Sequence, residues 1–374
     1  MSPLHGLYSQ NSCRPALHRY GLLSVLAALI ILFSAAKLSA QQTAIDPAGQ
    51  TALNPACKEA INPVEQYNVY TTEYAQKVIG FLAAEKLKGR EAGTKEAAKS
   101  ARFIAKEFKK MGYAPQMQSF NDHELARVIG APKAGKAPYP IQQCNVIASL
   151  EGKLSDRYIV VGAHYDHLGY KDGVGIHPGA DDNASGVVAL LSLAKMMKES
   201  GVKPEYTVLF CAWDGEEKGL LGSKYFVKGW PHGKQTLSSL METLSIGSSL
   251  KESVVCYMNF DMVGRTITPE NPGVTFAWNN NYPYLLDICK EVQKSIPAPF
   301  QVLLDERRGD GKGGSDYAPF SALDIPFIAW MEDFMHEDYH KPTDTFDKIH
   351  WEKLRKTTLL AYGILMRLAT GAAQ

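Results

Sequence analysis

From Val64 onward the chain runs through two hydrophobic rhythms. In the stretch 64–87, Val64, Tyr67, Val69, Ala75, Val78, Ile79 and Leu82 return with a period near 3.6. In 94–110, Ala98, Ala101, Phe103, Ile104 and Phe108 do the same. That period predicts two amphipathic helices, the second stopped by Gly112. A Pro-, Gly- and Ala-rich loop follows at 121–140. Then come short runs that are apolar on both faces: CNVIASL (144–150), YIVVGAH (158–164), YTVLFCAW (206–213), VVCYMNF (254–260), VTFAW (274–278) and PFIAW (326–330). Such β-branched and aromatic runs predict strands covered on both sides. Helical patterns at 184–199, 219–229, 282–295 and 350–369 lie between them. The alternation predicts an α/β fold, a three-layer α/β/α sandwich with a mixed, mostly parallel central sheet. No internal repeat is visible, and 231–252 reads as an insertion between core elements.

The N-terminal stretch follows neither rhythm. Arg14, His18 and Arg19 precede an apolar run from Gly21 to Ala36. The run is shorter than the roughly 20 residues a spanning helix needs. Residues 1–40 therefore read as an export signal, cut after Ala36 or Ala40, with an uncleaved N-terminal anchor as the alternative. That places the protein outside the cytoplasm, periplasmic or extracellular. Residues 41–63, polar and with three prolines, read as an N-terminal extension, and 64–374 as one domain.

A chain of 374 residues that is 45% hydrophobic buries an ordinary core, and a formal net charge of +1 points to no nucleic acid or anionic surface as partner. No stable protein partner is implied. Of the six cysteines, Cys13 would leave with the signal. Cys211 and Cys256 sit in apolar runs as buried thiols, while Cys57 and Cys144 are the pair open to bridging in an oxidising compartment.

Candidate chemistry sits mostly where apolar runs end. His164 stands at the exit of a strand in GAHYDHLG, with Asp166 two residues on to accept its other ring N–H. HPGADDNASG opens a helix, so Asp181 and Asp182 are either helix caps or a pair of acids that needs a cation. CAWDGEEKG is an acidic loop after a strand. Adjacent side chains diverge, so one glutamate of the pair Glu216 and Glu217 can ligate a metal while the other faces the substrate. Asp261 follows the apolar run VVCYMNF and needs a partner. EDYHKPTDT offers His340, on its own a surface histidine, and His167, His177, His336 and His350 are as weak singly.

Taken in order, H-x-D, G-A-D-D-N-A-S-G, E-E, strand-D-M and a late H-x-x-x-D resemble the secreted co-catalytic di-zinc aminopeptidases of the bacterial leucyl aminopeptidase and aminopeptidase Y type. The wider fold family of those enzymes includes glutamate carboxypeptidase and glutaminyl cyclase. The resemblance covers roughly 64–370. It implies two Zn2+ per chain, one on Asp182, Glu217 and His340 and the other on Asp182, Asp261 and His164. It also implies that Asp166 orients His164, that Glu216 is the general base, and that the Asp182–Asn183 peptide is cis. The substrates implied are peptides with a free N-terminus. Ser315 and Asp316 in GGSDYAPF match a substrate-binding motif of the family. Lys312 stands about where some members have a tyrosine that contacts the oxyanion, so Tyr317 or Lys312 takes that role. A glutaminyl cyclase shares WDGEE and HYD but normally works with one zinc and lacks the DDNASG form. A carboxypeptidase needs an arginine cluster, for which Arg307 and Arg308 are the near candidates. A non-catalytic binding ectodomain would have lost ligands, and none is lost here.

Overall fold

The computed structural model describes residues 69–121, 124–125, 142–230, 249–311 and 313–371. Residues 1–63, Cys57 and Lys312 therefore lie outside the described residues, as does most of the 231–252 insertion. The strands are β1 (Gln116–Phe120), β2 (Gln143–Leu150), β3 (Leu154–His164), β4 (Tyr170–Lys171), β5 (Gly175–Ile176), β6 (Tyr206–Trp213), β7 (Val254–Phe260), β8 (Gly273–Trp278), β9 (Gln301–Leu304) and β10 (Phe327–Glu332). The longer helices are α1 (Thr72–Leu82), α2 (Lys95–Lys110), α3 (Gly186–Glu199), α4 (Leu221–Gly229), α5 (Tyr284–Gln293) and α6 (Trp351–Ala369).

Eight strands form one sheet in the order β1-β2-β6-β3-β7-β10-β8-β9, and β4 pairs with β5 in a small separate ribbon. At the centre β6, β3, β7 and β10 run parallel to one another. β1 pairs antiparallel with β2, β2 with β6, and β8 with β10, so the sheet is mixed with a parallel middle.

Every residue of β6, β7 and β10 is buried, as runs apolar on both faces require. Along β6, Val208, Phe210 and Ala212 join the core formed with α1, α2, α3, α5 and α6. The alternate residues Leu209, Cys211 and Trp213 face the opposite way and pack with Phe226 and Val227 of α4. One strand thus feeds two cores, which is the three-layer sandwich the pattern predicts.

Helix ends follow local chemistry. The Thr94 hydroxyl accepts the Ala97 amide at 3.2 Å to start α2, and Gly112 leaves it at φ +80°. α1 is shorter than the 64–87 period suggests. The Thr71 hydroxyl caps its start, and past Leu82 the chain tightens into a 3-10 turn at Glu85–Leu87 that leads to Arg90. Cys144, Cys211, Cys256 and Cys289 are free thiols. Among the described residues Cys144 forms no bridge, and its thiol is pushed up to about 11 by burial. Among the described residues no helix is long and apolar enough to cross a membrane.

Candidate metal centre

The parallel strands deliver their C-terminal ends to one edge of the sheet, where an α/β fold places its functional loops. His164 is the last residue of β3, Glu216 and Glu217 follow β6, and Asp261 directly follows β7. Asp182 lies in the turn that opens α3, and His340 lies beyond β10. All six side chains line one cavity of about 1060 Å³.

The 178–186 turn is pinned from several directions. Gly179 has φ +62°, and a Cβ there would fall 2.2 Å from the Asp182 carbonyl oxygen, so only glycine fits. The Asp182–Asn183 peptide is cis, as the resemblance implies. Asn183 Oδ1 accepts the amides of Gly186 and Met262, and its Nδ2 donates to the Phe260 carbonyl. The Asp344 carboxylate accepts the amides of Asp181 and Asp182 at 3.0–3.1 Å. From beneath, the fully buried Arg90 donates to the carbonyls of Tyr165, Leu82, Pro178, Gly179 and Asp182. The two acids then part company. Asp181 turns inward, accepting the Gly264 amide at 2.6 Å and facing His336 Nε2 at 3.3 Å, while Asp182 faces the cavity.

Asp182 divides its two oxygens between two sets of donors. Its Oδ1 lies 3.5 Å from His164 Nε2, which is 3.3 Å from Asp261 Oδ1. Its Oδ2 lies 3.2 Å from His340 Nε2, which is 3.3 Å from Glu217 Oε2. Donors arranged tetrahedrally about 2.0–2.1 Å from a zinc ion stand about 3.3 Å apart. The chemistry of these donors and their distances from His164 and His340 suit zinc, with Asp182 lying between the two sets. The neighbouring glutamates diverge as anticipated. Glu216 groups with His164 and Asp261, and Glu217 with Asp182 and His167, the donor atoms within each group lying within 4.8 Å of one another.

Electrostatics in this corner are shaped by burial and crowding. Burial, then Glu217, raises the Asp182 carboxyl, with nearby histidines opposing. Burial also pushes Glu216 well above the usual carboxylate range, with His164 opposing and Asp261 and Asp316 adding to the rise. Burial works against protonated His340, yet its bonds to Asp182 and Glu217 lift it to about 10. A pocket of carboxylates this crowded is stabilised by positive charge, as a bound divalent cation would supply.

The Asp166 side chain faces the Glu-Glu turn as well as His164. Its carboxylate accepts the amides of Glu216 and Glu217 at 3.0 and 3.3 Å, holding the Glu-Glu turn in place. His164 Nδ1 is nearer to the Asp166 carbonyl, at 3.3 Å, than to its carboxylate, at 3.6 Å. Ser315 lines the cavity and accepts from Asn259 Nδ2 at 2.9 Å. Asp316 and Tyr317 sit behind that wall: the Ser223 hydroxyl donates to Asp316, and the Tyr317 ring stacks on Phe327. Neither presents a group to the cavity, so the oxyanion role expected of Tyr317 finds no geometric support, and Lys312 lies outside the described residues. Arg307 and Arg308 line the cavity but lean on Asp305, at 3.6 and 3.1 Å, rather than forming a clear carboxylate clamp. Arg90, Asp344 and His167 also belong to the centre. In the sequence Asp344 shows only as the acid of the late H-x-x-x-D, His167 only as one of several weak histidines, and Arg90 not at all.

Comparison with known proteins shows a family and a fold. The pattern of the family described as peptidase family M28 matches residues 145–364. Leupeptin-inactivating enzyme 1 of Streptomyces exfoliatus is 31% identical over 182 residues, 49% of this chain and 34% of that protein. The chain thus spans about a third of the length of that relative. Among solved structures, the LapA aminopeptidase of Legionella pneumophila superposes with a TM-score of 0.62 at 19% identity, covering 84% of this chain and 75% of that one. An aminopeptidase from Aneurinibacillus sp. strain AM-1 gives 0.61 at 18% identity, covering 82% and 96%. At these identities the structural likeness speaks for the fold.

Proposed function

This chain belongs to peptidase family M28, and from that premise we propose that it is a zinc-dependent aminopeptidase that hydrolyses the N-terminal peptide bond of peptides. The observation that carries the proposal is the division of Asp182, one oxygen toward His164 and Asp261 and the other toward His340 and Glu217. In this reading one zinc is held by Asp182, Asp261 and His164, and the second by Asp182, Glu217 and His340. Bound there, zinc would polarise the scissile carbonyl as a Lewis acid and lower the pKa of the attacking water.

The remaining work falls to the chain itself. Glu216 takes the proton from the attacking water and returns it to the leaving amine, so that it ends the cycle as it began. Its place beside His164 and Asp261 and its burial suit a group that must hold a proton briefly out of bulk water. Asp166 keeps Glu216 and Glu217 in register through their amides. The free α-amino group of the substrate would dock near the zinc position that does not polarise the carbonyl, and export follows from the reading of residues 1–40.

The test is metal removal and return. Dialysis against a chelator should abolish hydrolysis of a free-N-terminus peptide, and titration with zinc should restore it with an endpoint of about two equivalents per chain. Full recovery of hydrolysis at one equivalent would contradict the two-zinc reading and leave a single-zinc aminopeptidase. Activity that survives complete zinc removal would contradict the proposal outright.

A further inference from the structure

His167 is not part of either proposed ligand set, yet it is fully buried at the edge of the centre. Its Nδ1 lies 2.8 Å from Glu217 Oε1 and 3.7 Å from Asp182 Oδ2. The ring is held firmly. Its backbone amide donates to the Arg90 carbonyl at 3.3 Å, and its Cγ and Cδ2 would stand 2.6 Å from a Cβ on Gly179. The absence of a side chain at Gly179 is what lets the imidazole lie against the 178–186 turn.

At 2.8 Å the Nδ1···Oε1 contact has the length of a hydrogen bond and is shorter than the about 3.3 Å that separates two donors on one zinc ion. The other ring nitrogen, Nε2, is buried and has no hydrogen-bond partner among the described residues. His340 Nε2 meets the other oxygens of the same two acids, Asp182 Oδ2 and Glu217 Oε2.

We infer that His167 is a positioning residue for the second zinc: its Nδ1–H fixes Glu217 Oε1 so that Oε2 is presented beside Asp182 Oδ2 and His340 Nε2. The inference rests on the two-zinc reading above and adds a residue to it. Without that hydrogen bond Glu217 can swing, and the cost of an ordered ligand falls on metal affinity. Losing a hydrogen-bond partner of a metal ligand typically costs about 10–100-fold in affinity.

The experiment is zinc binding by competition with a chromophoric chelator, on the full chain and on His167→Ala, His167→Gln and His167→Asn, with the cobalt(II) absorption spectrum as a second readout. Asn places an amide N–H close to where Nδ1–H stands; Gln fills the space but carries its amide too far out. In wild type, two zinc ions should bind. In H167A and H167Q one of the two should bind about 10–100-fold more weakly, and in H167N the affinity should return to within about threefold of wild type. The cobalt spectrum should change in H167A and recover in H167N. If H167A fails to fold, H167Q, which leaves no cavity, carries the same expectation. Unchanged zinc affinities in H167A or H167Q, with two ions in wild type, overturn this inference alone. Weakening in H167N as deep as in H167Q makes the ring a direct ligand and overturns the positioning role. Fewer than two zinc ions in wild type contradict the two-zinc reading and this inference with it.

Discussion

Glu216→Gln should retain zinc at both sites and lose about 10²–10⁴-fold in kcat, the usual contribution of a general base, or roughly 3–5 kcal/mol of barrier. The substitution keeps the shape of the side chain and leaves the Glu216 amide on Asp166 Oδ1 at 3.0 Å, so the turn that also carries Glu217 stays in place. What it removes is the ability to accept a proton. KM should change little, because the carboxyl group acts on the reacting water rather than on substrate held at rest. The checks are steady-state kinetics on a free-N-terminus peptide together with zinc content of the same sample. Retention of most of the activity would show that another group moves the proton. Loss of zinc along with activity would show that Glu216 is a ligand, the role that its closeness to His164 and Asp261 leaves as the competitor.

Arg90→Met should destabilise the fold by about 3–5 kcal/mol, the cost of breaking a buried charged network from one side. That is a large part of the 5–15 kcal/mol by which domains are typically stable. Arg90 donates to five carbonyls on three separate stretches of chain, and methionine offers none of those bonds while filling similar space. Burial pulls the guanidinium down to about 10, with Asp182, Asp344, Asp166 and Glu217 pulling the other way, so it stays charged near neutral pH. Its loss also removes a cation from beneath the acidic cavity. Arg90→Lys keeps the charge with fewer, differently aimed donors and should recover only part of the stability. Urea unfolding at unchanged m-value measures both. A midpoint for Arg90→Met close to wild type would mean that the 178–186 turn holds itself without the arginine.

The contrast between Glu216 and Arg90 shows where the sequence is readable. β6 and β7 begin and end at the residues where YTVLFCAW and VVCYMNF begin and end, because a strand covered on both faces is apolar throughout and has sharp polar borders. β1, with sequence QMQSF, and β9, with QVLL, escape that logic. They are the edges of the sheet, half covered or exposed, and their mixed composition carries no clear period. The site divides in the same way. Ligand candidates announce themselves as acids and imidazoles mostly placed where apolar runs stop. Arg90 looks like one more polar residue in a loop, since its partners lie as far as 92 residues away in sequence. His167 sits inside the quoted motif GAHYDHLG, yet only the packed fold sets its ring against Glu217, 50 residues on. Tyr317 errs in the opposite direction. Beside a recognisable motif it looks like a substrate contact, but the apolar surroundings of Phe327 claim its ring.

The most direct test of the central claim is mass spectrometry of one peptide and its N-acetylated copy, each incubated with the protein and zinc. The account predicts stepwise loss of residues from the free N-terminus and no change in the acetylated copy. Trimming of both from the C-terminus, loss of ammonia from a Gln-first peptide without shortening, or no change in either peptide with zinc bound would contradict it.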